Sequence, residues 1–439
     1  MADEKFADKA RRPLPGIDPD EPLEKVSGWK VVGPGLVVAA TGVGAADLVA
    51  TLTAGSRFGY GLLWAVVLGT VLKIILVEGA GRYSLATGRT IFEGWRSLGK
   101  WTTVYFGPYI IIWGFVYGAT AMSSAALPLA ALFPVLPLWA WAVLMGLLGF
   151  AMIWFGRYAV VEKVAALMVG IMFVVVVGLA VLTVPNIPEM LRGFVPLIPE
   201  GGVVYTLALA GGIGGTITLA AYGYWLREKG WYRPGWMRVM QLDNAAAYTV
   251  TGIFVVAMLV VGVEVLYSAG YAISAGDEGL LELGEILKDR YGDVIGTAFL
   301  VGFWAASFSS LIGVWSGVSL MFADFWGNLR EKPSGHPDTI TGGKYFRFYL
   351  LWLTFPPMLL FLLDRPVFLI LLYGVLGALF MPFLAITLVW LLNTDRTPRR
   401  WRNGAFTNVA LALCAVLFIV LGLYQAWDTL QDVVAWFRG

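Results

Sequence analysis

A single carboxylate, Asp47, closes an apolar stretch that reads Thr41-Gly42-Val43-Gly44-Ala45-Ala46-Asp47. A second stretch of the same character reads Gly211-Gly212-Ile213-Gly214-Gly215-Thr216-Ile217-Thr218. Thr41, Thr51, Thr53, Thr216 and Thr218 add hydroxyl groups on the same two segments. One carboxylate, several hydroxyls and the backbone carbonyls released by glycine make a donor set of oxygen alone. Such a set suits hard cations such as Mg2+, Ca2+ or Mn2+, with Mg2+ keeping much of its water. The same donors equally suit a small polar organic solute. Thiolate metal cages, and imidazole sites in the membrane interior, are excluded by composition, because Cys414 is alone in an apolar run and the only histidine, His336, lies in a Pro/Gly-rich loop. No nucleophile–base pair or catalytic metal cluster is visible, so the chain does not read as an enzyme and implies no cofactor.

The elements that must position these groups are membrane helices. Of the 439 residues, 59% are hydrophobic and 14% charged, whereas soluble domains carry about 25% charged residues. The net charge of +2 leaves no basic stripe for nucleic acid once the loops are counted. About eleven runs are long enough to cross a bilayer, at approximately 32–53, 61–80, 105–131, 137–155, 162–184, 203–226, 244–268, 293–325, 346–363, 366–392 and 405–427. Strand-like alternation is absent, so helices are left to satisfy the backbone in lipid. Lys and Arg cluster in alternate loops, for instance Arg82, Arg89, Arg96 and Lys100, and again Arg396, Arg399, Arg400 and Arg402. That bias predicts a multi-pass plasma-membrane protein with a cytoplasmic N-terminus and an extracellular C-terminus. Residues 1–30, polar and carrying Pro13, Pro15, Pro19 and Pro22, lack the order of a signal peptide and read as a disordered cytosolic tail. Two five-helix halves follow, 31–200 and 201–392, and residues 393–439 hold the eleventh helix and C-terminus.

The two glycine-dense stretches fall in the first helix of each half. Glycine costs about 1 kcal/mol against alanine inside a helix, so both helices are expected to break there. Glycine-interrupted segments at matching positions in two halves point to an inverted-repeat transporter whose solute site lies at the breaks. An odd number of helices per half inverts the second half. The plainer alternative is close helix packing through small residues, which requires neither Asp47 nor the paired positions. An intramembrane acid is costly unless paired or functional, although a purely structural, hydrogen-bonded Asp47 is the competing reading.

At these residues the chain resembles the Nramp family of divalent-metal transporters, which have the leucine-transporter (LeuT) fold. The similarity covers nearly the whole chain and is clearest in Gly33-Pro34-Gly35, in Ala54-Gly55-Ser56-Arg57-Phe58-Gly59-Tyr60-Gly61-Leu62-Leu63-Trp64, in Ala86-Thr87-Gly88-Arg89, and in the stretch Ser309–Gly317. It implies about eleven transmembrane helices, helices 1–5 and 6–10 forming the repeat, helices 1 and 6 discontinuous, and alternating access. The family's ligands do not all carry over. Its Asp-Pro-Gly-Asn motif falls on Gly44-Ala45-Ala46-Asp47, and its Ala-x-x-Met motif on Gly215-Thr216-Ile217-Thr218, so a hard oxygen replaces the soft methionine. The Pro-His that follows falls on Leu219-Ala220, and the acidic pair of proton-coupled members on Ala121 and Ser124. The resemblance therefore implies a divergent branch: a divalent-cation transporter or facilitator favouring Mg2+ or Mn2+, with poor transition-metal selectivity and without the usual proton path. Asp47, Gly44, Gly215 and Thr218 are the implied metal residues, with Thr41 and Thr216 completing the substrate site. A same-fold transporter of a small organic solute and a non-transporting membrane sensor are the alternatives.

Other charges are assigned plainer roles. Lys73 and Glu78 are five apart on one helix and need not pair, so snorkelling or packing polarity accounts for them. Glu162 and Lys163 are expected at the cytoplasmic interface. Glu264, towards the outer end of the seventh helix, is a candidate pathway or gate acid. The segment from Gly276 to Asp293 carries Leu280, Leu281, Leu283, Ile286 and Leu287 near helical spacing among acids, which predicts an amphipathic extracellular helix. The expected partners are the lipid bilayer and the solute; the sequence names no protein partner.

Overall fold

The computed structural model describes residues 14–24, 33–42, 44–212, 215–270, 277–333, 335–363 and 366–438. Among them no strand occurs. The helices in order are α1 (Pro34–Gly42), α2 (Ala45–Phe58), α3 (Leu63–Thr87), α4 (Ile91–Ser97), α5 (Lys100–Leu132), α6 (Leu138–Phe155), α7 (Tyr158–Leu182), α8 (Ile187–Arg192), α9 (Val203–Gly212), α10 (Thr218–Glu228), α11 (Met237–Val261), α12 (Asp277–Tyr291), α13 (Asp293–Leu329), α14 (Lys344–Met358), α15 (Pro366–Asn393) and α16 (Ala405–Arg438).

Seven helical stretches among the described residues are long and apolar enough to cross a bilayer: Ala50–Thr87, Lys100–Leu132, Leu138–Phe155, Tyr158–Leu182, Pro234–Ala269, Asp293–Leu329 and Ala405–Tyr424. The sequence led to about eleven by counting apolar runs. Of the remaining runs, the one at 366–392 forms the 28-residue helix α15, and the other three are interrupted by glycine or proline, which leaves a run apolar while its helix is cut short. The runs at 32–53 and 203–226 are each split between two helices, α1 with α2 and α9 with α10. The run at 346–363 ends on Pro356 and Pro357 and passes into a 3-10 turn, Leu359–Leu363.

α13 is the central post. It packs against α5, α7, α10 and α1, and its small residues let the broken helices come close. A methyl group added at Gly313 would collide with the Thr41 side chain, and one at Gly317 with the Trp225 indole. The same device recurs at Gly55, where a Cβ would lie 2.7 Å from the Leu259 carbonyl. Small-residue packing is therefore real, and it sits beside the breaks instead of replacing them.

Two local motifs fix the ends of α3 and α4. Gly88 ends α3 in the left-handed region (φ 68) and donates to the Ser84 carbonyl, which only glycine does without strain. Thr90 and Glu93 then form a reciprocal capping box at the start of α4. α12 is amphipathic as expected, with Leu280, Leu283 and Leu287 fully buried.

The stretch 14–24, expected to belong to a disordered tail, is instead docked. Leu14 donates to the Thr87 carbonyl at 2.9 Å, Glu24 to the Gly235 carbonyl at 2.8 Å, and Trp401 Nε1 to the Pro19 carbonyl at 3.0 Å. Proline limits what this segment loses on ordering, and the Trp401 indole supplies an anchor that composition alone does not reveal.

Candidate functional site

The two breaks touch. α1 stops at Gly42 and α2 starts at Ala45; α9 stops at Gly212 and α10 starts at Thr218. Gly215, between α9 and α10, has φ 91, a left-handed conformation that glycine adopts without steric cost. A Cβ built there would lie 3.0 Å from Thr218 Oγ1 and 3.3 Å from Gly42 Cα. The Thr41 and Thr218 hydroxyls are hydrogen-bonded, Oγ1 to Oγ1, at 2.9 Å, and Thr41 also donates to the Val38 carbonyl at 2.6 Å.

Neighbouring helices hold this arrangement. Ser310 Oγ donates to the Thr41 carbonyl at 3.1 Å, and Tyr117 OH is hydrogen-bonded to Ser310 Oγ at 3.1 Å. Thr216 faces α15, with its Cγ2 3.2 Å from where a Cβ on Gly377 would be. The Gly44 carbonyl accepts from Leu48 N at 3.2 Å and so starts the first turn of α2. Helix C-terminal ends carry negative partial charge and N-terminal ends positive. The junction therefore places the carbonyl ends of α1 and α9 beside the N-terminal end of α10.

Of the residues singled out in the sequence, the structure brings Thr41, Gly215 and Thr218 into contact, with Gly44 and Thr216 at the rim of the same junction. Asp47 is the third residue of α2; its side chain, like Val43, Ile213 and Gly214, lies outside the described residues. Thr51 and Thr53 are buried along α2, and Thr53 Oγ1 has no hydrogen-bond partner among the described residues.

Lys73 departs from its expected role. It neither snorkels nor merely adds packing polarity, being 1% exposed. Its Nζ donates to the Gly215 carbonyl at 2.7 Å and lies 5.1 Å from the Phe418 ring centroid. Glu78 turns elsewhere, to Arg82 at 3.1 Å and Gln241 at 3.0 Å. Spacing along α3 does not reveal this bond, because the acceptor is a carbonyl freed where α9 and α10 are interrupted, 142 residues on.

Asp243, not singled out in the sequence, anchors the other end of α1. Its Oδ1 accepts from Gly33 N at 2.7 Å and its Oδ2 from Gly35 N at 2.6 Å, while Tyr222 OH donates to Oδ2 at 2.8 Å. A Cβ at Gly35 would lie 2.8 Å from Oδ2, so glycine is needed for the carboxylate to reach the helix end. An acid against a helix N-terminus satisfies otherwise orphaned N–H groups and complements the helix dipole. Close by, Lys229 pairs with Glu162 at 2.5 Å.

Glu264 is at the opposite end and takes no part in the junction. It sits in a π-helical turn, Gly262–Leu266. Tyr60 OH donates to its Oε1 at 2.6 Å, as does Asn186 N at 3.0 Å, and Arg290 of α12 donates to its carbonyl at 3.2 Å. These bonds tie the end of α2, the start of α8 and α12 together.

Comparison with known proteins places this geometry in context. Residues 35–428 match a family described as natural resistance-associated macrophage protein-like, or Nramp. The chain is 23% identical over 424 residues to the divalent metal cation transporter MntH of Bacillus subtilis, covering 91% of this chain and 92% of that one. Its fold is similar to that of a manganese transporter of Eremococcus coleocola, at a TM-score of 0.74 and 16% identity, covering 97% and 92% of the two chains. It is also similar to MhsT in complex with L-phenylalanine, at a TM-score of 0.60 and 12% identity, covering 92% and 99%.

Proposed function

The chain belongs to the Nramp family and has a LeuT-like fold, and on that premise we propose that it is a secondary transporter or facilitator of a divalent cation. Mg2+ or Mn2+ is favoured and discrimination for transition metals is poor. The observation that carries this reading is the contact between the two breaks, where Thr41 and Thr218 are hydrogen-bonded at 2.9 Å and Gly215 abuts Gly42. Asp47, Thr41 and Thr218 supply side-chain oxygens, and Gly44 and Gly215 supply carbonyls, with Thr216 at the rim.

The donor set supports the choice of cation. Oxygen ligands suit Mg2+ and Mn2+, and with Thr218 standing where the family carries methionine the soft transition metals lose that ligand. Transport follows from alternating access. The bundle of α1–α2, α3, α9–α10 and α11 rocks against the rest, between an inner closure around Asp243 and Lys229–Glu162 and an outer closure around Tyr60–Glu264. With no histidine or acidic pair where proton-coupled members carry them, the usual proton path is missing. The N-terminus is cytoplasmic and the C-terminus extracellular, following the loop charges. Calorimetry tests the site: Asp47→Ala is expected to abolish Mg2+ and Mn2+ binding, and unchanged binding would sink the assignment.

One observation favours a second reading. The Lys73 ammonium at the Gly215 carbonyl would attract a carboxylate, so a small organic acid is the alternative solute. A ligand screen in which organic acids but no metal ions raise the melting temperature would select it.

A further inference from the structure

The break between α9 and α10 already holds a cation. Lys73 Nζ is 2.7 Å from the Gly215 carbonyl, 3.9 Å from Met381 Sδ and 5.1 Å from the Phe418 ring centroid. Gly215 follows the C-terminal end of α9 by three residues, where the helix dipole draws positive charge. An ammonium buried at that position therefore stands where a dissociable cation would be held.

We propose that Lys73 is a tethered cation that occupies the Gly215 carbonyl in the unloaded protein, so that a divalent ion binds there only by displacing it. The proposal rests on the reading that the junction is the substrate site. A divalent ion sits about 2.0–2.6 Å from its oxygen ligands. Shared with an ammonium at 2.7 Å, one carbonyl would hold the two positive charges only about 4–5 Å apart, where they repel strongly in a protein interior. The lysine stem is flexible, and the Phe418 ring offers the withdrawn ammonium a cation–π contact. Lys73 is thus a specificity-determining residue: it weakens divalent binding in this chain and releases the carbonyl when the substrate arrives.

The test compares the full-length chain with Lys73→Met, which keeps length and loses charge, and Lys73→Arg, which keeps charge. Mn2+ and Mg2+ titrations by calorimetry are expected to show Lys73→Met binding at least ~10-fold tighter than the parent chain, as removal of a like charge requires, and Lys73→Arg no tighter. Without metal, Lys73→Met is expected to melt lower, because the Gly215 carbonyl loses its donor, and Mn2+ should restore more of its melting temperature than it adds to the parent. Parent-like or weaker Mn2+ binding by a folded Lys73→Met overturns the proposal. Should that variant not fold, Lys73→Gln keeps a donor without the charge, and parent-like binding by it overturns the proposal equally. Tighter binding by Lys73→Met in a chain that carries no Mn2+ flux would refute transport and leave the tethered cation standing.

Discussion

Thr41 and Thr218 are 177 residues apart in sequence, and their hydroxyl oxygens lie 2.9 Å apart across the junction of two interrupted helices. Both are nearly fully buried. A hydroxyl pair in that position joins the half-helices mechanically and presents two hard oxygens at one point.

Thr218→Val separates those two roles from the shape of the side chain. Loss of the hydrogen bond is expected to cost about 1 kcal/mol of stability, seen as a small drop in melting temperature. Divalent-ion affinity should fall several-fold. Unchanged affinity would remove Thr218 from the ligand set.

Gly215→Ala addresses the backbone. At φ 91 an alanine is strained, by roughly 1–2 kcal/mol, and its Cβ would press on Thr218 Oγ1 and Gly42 Cα. The folded variant is expected to lose most of its uptake activity. Full activity would mean that the breaks need not approach this closely.

Asp243→Asn probes the anchor of α1. The amide offers one acceptor oxygen where two backbone N–H groups now bond to two carboxylate oxygens, so one buried donor loses its partner at a cost of about 1–3 kcal/mol. Thermal unfolding should register that loss. A melting temperature equal to that of the parent would show that the bonds contribute little.

Tyr60→Phe removes the 2.6 Å bond to Glu264. The outer closure is expected to loosen, so that a cysteine introduced at Ser56 reacts faster with a membrane-impermeant thiol reagent. Background labelling is low, because the native Cys414 is fully buried. No change in rate would place the outer closure elsewhere.

Much of this was legible in the residues. Glycine density marked both breaks, because glycine weakens a helix wherever it occurs, and spacing marked α12 as amphipathic. The partners of buried charge were not legible. Asp243 lies one position before the seventh apolar run, 244–268, and its partners Gly33 and Gly35 are more than 200 residues away. The charge nearest to Lys73 on its own helix is Glu78, five residues on, whereas its acceptor is Gly215, 142 residues on. Depth along a helix is visible in the sequence and marks Glu264 as a candidate gate or pathway acid, while the Tyr60 hydroxyl that meets it is not visible there.

Uptake of Mn2+ into proteoliposomes, with luminal pH followed in parallel, tests divalent transport through this junction most directly. The expected result is Mn2+ entry by the parent chain without acidification of the lumen, and no entry by Asp47→Ala. Equal entry by both proteins, or none by the folded parent, would contradict it.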